Sequence, residues 1–168
     1  MTAPALDHVS ITVADLETSI AFYRDLLGLP LLDRGHADEP ELSTLLSLDD
    51  VELDWAELSL GPTILELVQY RTAAGDPLNP HPNRPGATHF GLAVDDITPF
   101  AARLREAGAV ISNDVVTLTE DSDWHGARVL YATDPDGVTI ELVQRADKLV
   151  VLPDETPDLT SEREIAPR

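Results

Sequence analysis

The sequence predicts an α+β protein built from two copies of one βαβββ unit, and three observations carry that prediction. Two segments are nearly identical: Ile64-Leu65-Glu66-Leu67-Val68-Gln69 and Thr139-Ile140-Glu141-Leu142-Val143-Gln144. Each follows, at a similar distance, an alternating segment opened by a histidine. These are Asp7-His8-Val9-Ser10-Ile11-Thr12-Val13 and Thr88-His89-Phe90-Gly91-Leu92-Ala93-Val94. Each alternating segment then runs into an aspartate, Asp15 or Asp96, and from there into apolar positions at helical spacing.

The elements follow in order. In the first half, alternation to Val13 reads as a strand, and Asp15 is placed to accept the first free amides of a helix over Leu16–Leu27. Ile20, Phe22, Tyr23 and Leu27 give that helix its apolar face, and Gly28 suits its C-terminal stop. Strands follow at Leu29–Arg34, Val51–Leu58 and Thr63–Tyr70, the last two joined by a tight Leu60-Gly61-Pro62 connection; Glu41–Leu48 reads as a short helix within a loop. The second half repeats the plan. Asp96 caps a helix over Ile97–Ala107, with Phe100, Leu104 and Ala107 on its apolar face and Gly108 as its stop. Strands are predicted at Ala109–Asn113, Ala127–Ala132 and Val138–Gln144, with Asp134-Pro135-Asp136-Gly137 as the turn between the last two.

Residues 5–145 are therefore expected to form a single domain of two modules, Ala5–Tyr70 and Ala87–Arg145, because neither module alone buries much core. The proline-rich stretch 71–86 is read as a linker. Residues 152–168, rich in Pro, Asp, Glu and Thr, are read as a flexible acidic tail.

Alternation places His8 with Ser10 and Thr12, Glu66 with Ile64 and Val68, His89 with Gly91 and Ala93, and Glu141 with Thr139 and Val143. Imidazole and carboxylate suit a strand interior poorly unless they have a partner. Four of them in symmetric positions point to one divalent metal ion shared between the halves, held by His8, Glu66, His89 and Glu141. Mixed nitrogen and oxygen ligands fit Mn, Fe, Co, Ni or Zn. The chain has no cysteine, which excludes thiolate ligands and disulfides.

The formal net charge of −20 disfavours nucleic acid and anionic membranes as partners, since both repel an acidic surface. Neither a membrane-spanning run nor a signal peptide is read from the sequence, so a cytoplasmic location is expected.

The residues Asp7-His8-Val9, Phe22-Tyr23-Arg24-Asp25-Leu26-Leu27-Gly28-Leu29, Glu66, His89 with Val94-Asp95-Asp96-Ile97, and Asp134-Pro135-Asp136-Gly137 before Glu141 together resemble the vicinal oxygen chelate superfamily. That group includes glyoxalase I, metal-dependent epimerases, extradiol dioxygenases, fosfomycin-resistance enzymes and bleomycin-binding proteins. The resemblance implies that the two modules pair into a cupped mixed sheet around a divalent metal, with His8, Glu66, His89 and Glu141 as the ligands. It also implies a small-molecule substrate and a homodimer, sometimes with modules exchanged between chains.

The chemistry implied is proton abstraction next to a carbonyl, through an enediolate, on a small oxygen-rich substrate: a hydroxy-ketone, a cyclitol ketone or an acyl thioester. Returning the proton to the other face gives an epimerase; returning it to the neighbouring carbon gives an isomerase. Glu141 and Glu66 are the candidate bases by the same resemblance, and His125 is a candidate contact at the pocket rim. His36 and Glu41 are read as loop residues, with a supporting acid or base role as the alternative. A glyoxalase I-like lyase differs mainly in substrate. An extradiol-type dioxygenase would use two His and one carboxylate with Fe(II), and Glu66 as a fourth ligand argues against it. A metal-free antibiotic-binding resistance protein fits poorly with four apparent ligands and 5% aromatic content.

Overall fold

The computed structural model describes residues 4–78, 81–112 and 114–146, so the tail expected at 152–168 lies outside the described residues. The first half comprises β1 (His8–Thr12), α1 (Leu16–Ile20, continuing π-helically over Ala21–Leu26), β2 (Leu31–Ala37), α2 (Pro40–Leu46), β3 (Leu53–Leu60) and β4 (Thr63–Tyr70). The second comprises β5 (His89–Ala93), α3 (Ile97–Glu106), β6 (Val116–Thr117), β7 (Arg128–Thr133) and β8 (Thr139–Gln144). The strands form two four-stranded sheets of the same topology, β1-β4-β3-β2 and β5-β8-β7-β6. Each is mixed: the His strand runs parallel to the Glu strand, and the other pairs are antiparallel.

Local chemistry explains the helix starts. Asp15 and Asp96 both adopt extended backbone and accept the amide of Thr18 or Thr98, as N-caps do. The repeated glutamines add a second cap. Gln69 Oε1 accepts the Leu16 amide at 2.9 Å, and Gln144 Oε1 accepts the Ile97 amide at 3.1 Å. A glutamine at or next to the C-terminal end of each repeated strand thus ties its sheet to its helix.

One face of each sheet packs under the helices. Ala56, Leu58, Leu65 and Leu67 of the first sheet join Leu130, Ala132, Ile140 and Leu142 of the second in a single core with Ile20, Tyr23, Ile97 and Leu104. Polar contacts also cross between the halves. Tyr23, fully buried, donates its hydroxyl to Asp134 Oδ2 at 2.9 Å, and Asp136 Oδ1 accepts the Ala14 amide at 3.0 Å. The turn before β8 is thereby fastened to the corner between β1 and α1.

Several strand limits differ from the sequence reading. The strand predicted from Leu29 begins at Leu31, because Leu29 still donates its amide to the Tyr23 carbonyl and Pro30 gives its carbonyl to Ser59. The strand predicted from Val51 is β3, Leu53–Leu60, extending to the tight turn. The stretch predicted at Ala109–Asn113 makes only an isolated bridge, Ile111 to Ala132, and Asn113 is outside the described residues. At the other end of β7 lies β6, a two-residue edge too short to carry a periodicity. Among the described residues no helix is long and apolar enough to cross a membrane.

Candidate metal centre

The sheet face turned away from the helices carries the expected ligands. Cross-strand partners in a parallel pair share a face, and the register pairs Ser10 with Glu66. His8, two residues before Ser10, therefore projects beside Glu66, with Nε2 3.9 Å from Glu66 Oε2. The second sheet repeats this. Gly91 pairs with Glu141, and His89 Nε2 lies 3.6 Å from Glu141 Oε2. Both separations are shorter than twice a typical metal–ligand distance of about 2.1 Å, so one ion can touch both atoms of a pair.

The neighbours suit ligation. His8 Nδ1 is hydrogen-bonded to Asp7 Oδ2 at 2.9 Å, which holds the ring with Nε2 toward Glu66. That bond, with the nearby carboxylates, raises the His8 pKa above the usual imidazole value. Tyr131, the cross-strand partner of Glu141, lies 5.7 Å, ring to ring, from His89. Burial, then the Glu141 charge, pushes the Tyr131 phenol above its ordinary value. The His and Glu side chains all reach solvent, the histidines at 47% exposure.

The four expected ligands meet as two pairs. Among the described residues no three histidine or acidic side chains come close enough together to hold a metal within one chain. His8 with Glu66 forms one half, and His89 with Glu141 the other.

The remaining candidates fall elsewhere. His125 donates Nδ1–H to the Glu120 carbonyl, 3.0 Å away, in the loop before β7. That loop enters at the Gln144 end of β8, whereas His89 aligns with Thr139 at the opposite end. His36 pairs in register with Asp54, hydrogen-bonds it at 2.8 Å, and lies on the helix-facing side together with Gln69. It therefore cannot act from the Glu66 face. Glu41 is exposed on α2.

Two residues on the ligand face escaped the sequence reading. Glu57 is the direct partner of Glu66 across the β3–β4 hairpin, and Tyr131 is its counterpart across β7–β8. The signal was available in the turns. Counting back from Gly61-Pro62 and from Asp134–Gly137 sets both registers and puts each residue opposite a glutamate.

Residues 5–142 match the sequence profile of the Glyoxalase/Bleomycin resistance protein/Dioxygenase superfamily, and the chain belongs to that family. A 2-epi-5-epi-valiolone epimerase from an Actinomyces species is 32% identical over 148 residues, covering 84% of this chain and 79% of the relative. A lactoylglutathione lyase from Schizosaccharomyces pombe is 30% identical over 156 residues, covering 88% of this chain but 49% of the lyase, so the chain spans about half of that relative. A glyoxalase family protein from Bacillus cereus superposes with a TM-score of 0.76 at 24% identity, covering 86% of this chain and 96% of that one; this likeness bears on the fold alone. The named activities among these relatives, an epimerase and a lyase, differ from one another.

Proposed function

We propose that this chain is a metal-dependent epimerase or isomerase that moves a proton next to the carbonyl of a small oxygen-rich substrate. The observation that supports it best is the duplicated register, which sets a histidine Nε2 beside a glutamate Oε2 on the same face of both sheets. The donor set, two imidazole nitrogens and two carboxylates, fits Mn, Fe, Co, Ni or Zn. When bound, such an ion polarises a carbonyl and stabilises negative charge building on its oxygen.

The chain's own residues then divide the work. His8 and His89 present Nε2 as ligands, with Asp7 holding the His8 ring. Glu66 and Glu141 serve as ligands and as the proton-accepting groups, and Tyr131 stands opposite Glu141 in register. Coordination would lower the basicity of a carboxylate, so the oxygen of Glu66 or Glu141 left free of the ion would be the one to take the proton. Because the pairs sit apart within one chain, we place the complete site between two chains of a homodimer, one giving His8 and Glu66 and the other His89 and Glu141. His125 would reach such a site only as a rim residue from its loop.

A glyoxalase-like lyase is the second reading, favoured by the identity to the Schizosaccharomyces pombe lyase. Both readings require the metal. Purified protein should carry about one divalent ion per chain by mass spectrometry, and Glu66→Ala should lose it or hold it much more weakly. Absence of metal from the wild type, with no rise in melting temperature on adding Mn, Co, Ni, Zn or Fe(II), would sink both.

A further inference from the structure

We infer that the substrate of this site is an uncharged, polyhydroxylated carbonyl compound, selected by Glu57 and Asp33; the inference rests on the metal-dependent reading above. The binding position is the one set by the His–Glu pairs. What surrounds it decides which molecules can approach.

Across the first sheet, Ser10, Glu66, Glu57 and Asp33 stand in register on four neighbouring strands. All four project from the ligand face, because Ala56 and Leu58, which flank Glu57, are fully buried on the other. Three carboxylates therefore stand side by side. Like charges directly opposite one another destabilise a sheet, and nothing in the packing of this face requires them.

Three arginines on or beside the strands are turned the other way. Arg34 pairs in register with Ala56 and is bound to Glu17; Arg71 is bound to Asp54; Arg128 pairs with Gln144 and is hydrogen-bonded to it. Among the described residues, no strand position on the ligand face of either sheet is Lys or Arg. At the place equivalent to Glu57, the second sheet offers the Tyr131 hydroxyl.

Beyond the charge of the bound ion itself, a substrate bearing phosphate or several carboxylates would meet Glu57 and Asp33 with no Lys or Arg at the described strand positions of the ligand face to offset them. That disfavours nucleotide-linked thioesters and peptide-thiol adducts, both anionic. Hydroxyl groups suit the same surroundings, since a carboxylate accepts short, charge-assisted hydrogen bonds from them. Glu57 is thus a specificity-determining residue: it takes a substrate hydroxyl and turns anions away.

The test compares two probes with the same hydroxy-ketone head, dihydroxyacetone and dihydroxyacetone phosphate, by calorimetry on the Mn-loaded protein. The neutral probe should bind roughly tenfold more tightly at low salt, with the gap shrinking as ionic strength rises. Glu57→Gln should close most of the gap, weakening the neutral probe and strengthening the phosphate; Asp33→Asn should act in the same direction if Glu57→Gln folds poorly. Equal or tighter phosphate binding, no measurable binding of dihydroxyacetone, or a gap unchanged in both variants would overturn the inference while leaving the metal reading intact. A chain that takes up no Mn would overturn both.

Discussion

Tyr23 has no exposed surface, yet it ends in a hydroxyl, and that hydroxyl has one partner, Asp134. Asp134 in turn accepts the amides of Asp136 and Val138. Tyr23→Phe leaves one buried carboxylate oxygen short of a donor and should destabilise the fold by about 1–3 kcal/mol in urea unfolding at neutral pH. Burial is the larger influence on Asp134 and pushes its pKa up in spite of those hydrogen bonds. The folded chain therefore holds a proton on Asp134 more readily than the unfolded chain does. The stability this gives is fully present below the unfolded carboxyl value and is lost as pH rises through the folded one. Asp134→Asn should accordingly gain on the wild type as pH is raised from about 4 to neutrality, followed by paired denaturation curves. A parallel pair of curves would show that Asp134 titrates alike in both states. The sequence marked Tyr23 as helix core and Asp134 as a turn residue. It did not show that they meet, because their bond spans the two halves and has no local signature.

Elements were legible wherever periodicity and caps agreed. The two glutamate strands, both helix starts and the turn at Asp134–Gly137 all stand near their predicted places because alternation, an Asp cap and turn residues point the same way there. The edges were not legible. β2 is held by one neighbour, and β6 has two residues, so tertiary pairing rather than local pattern sets their limits. Close packing on β2 shows the same control. A Cβ built on Gly35 would stand 2.6 Å from Trp55 Cζ2 and 2.8 Å from Cε2. Trp55 belongs to a small cluster with Val51, Leu53 and Val68 on the ligand face. Gly35→Ala should push the indole off this cluster, costing about 1–3 kcal/mol and shifting the Trp55 fluorescence. An unchanged spectrum and melting curve would mean that β2 itself yields instead.

At the scale of the whole molecule, the repeat marked the four expected ligands, and among the described residues they lie as two pairs with no three metal-capable side chains together. Complementation between variants tests where they join. Glu66→Ala and Glu141→Ala should each fail to hold metal as homodimers. Mixed dimers of the two, isolated through different affinity tags, should recover one ion per pair of chains, because one of the two sites then receives only intact halves. No recovery would place all four ligands within a single chain. Sequence could not decide this: spacing along the chain is the same for either pairing, and only the packing of the helix-facing sides distinguishes them.

The parallel pairing of β1 with β4 and of β5 with β8 also constrains how such a chain can change over generations. Side chains alternate, so a single-residue insertion that slides either histidine strand by one place would turn His8 or His89 into the core. The hairpin at Gly61-Pro62 is equally intolerant, since its length aligns Glu57 with Glu66. Among the described residues the stretch from Arg71 to Gly86 carries no strand, so it can lengthen or shorten without moving His8, Glu66, His89 or Glu141. Heritable length variation in descendants of this chain should therefore gather between the modules, while the short turns inside them keep a fixed residue count.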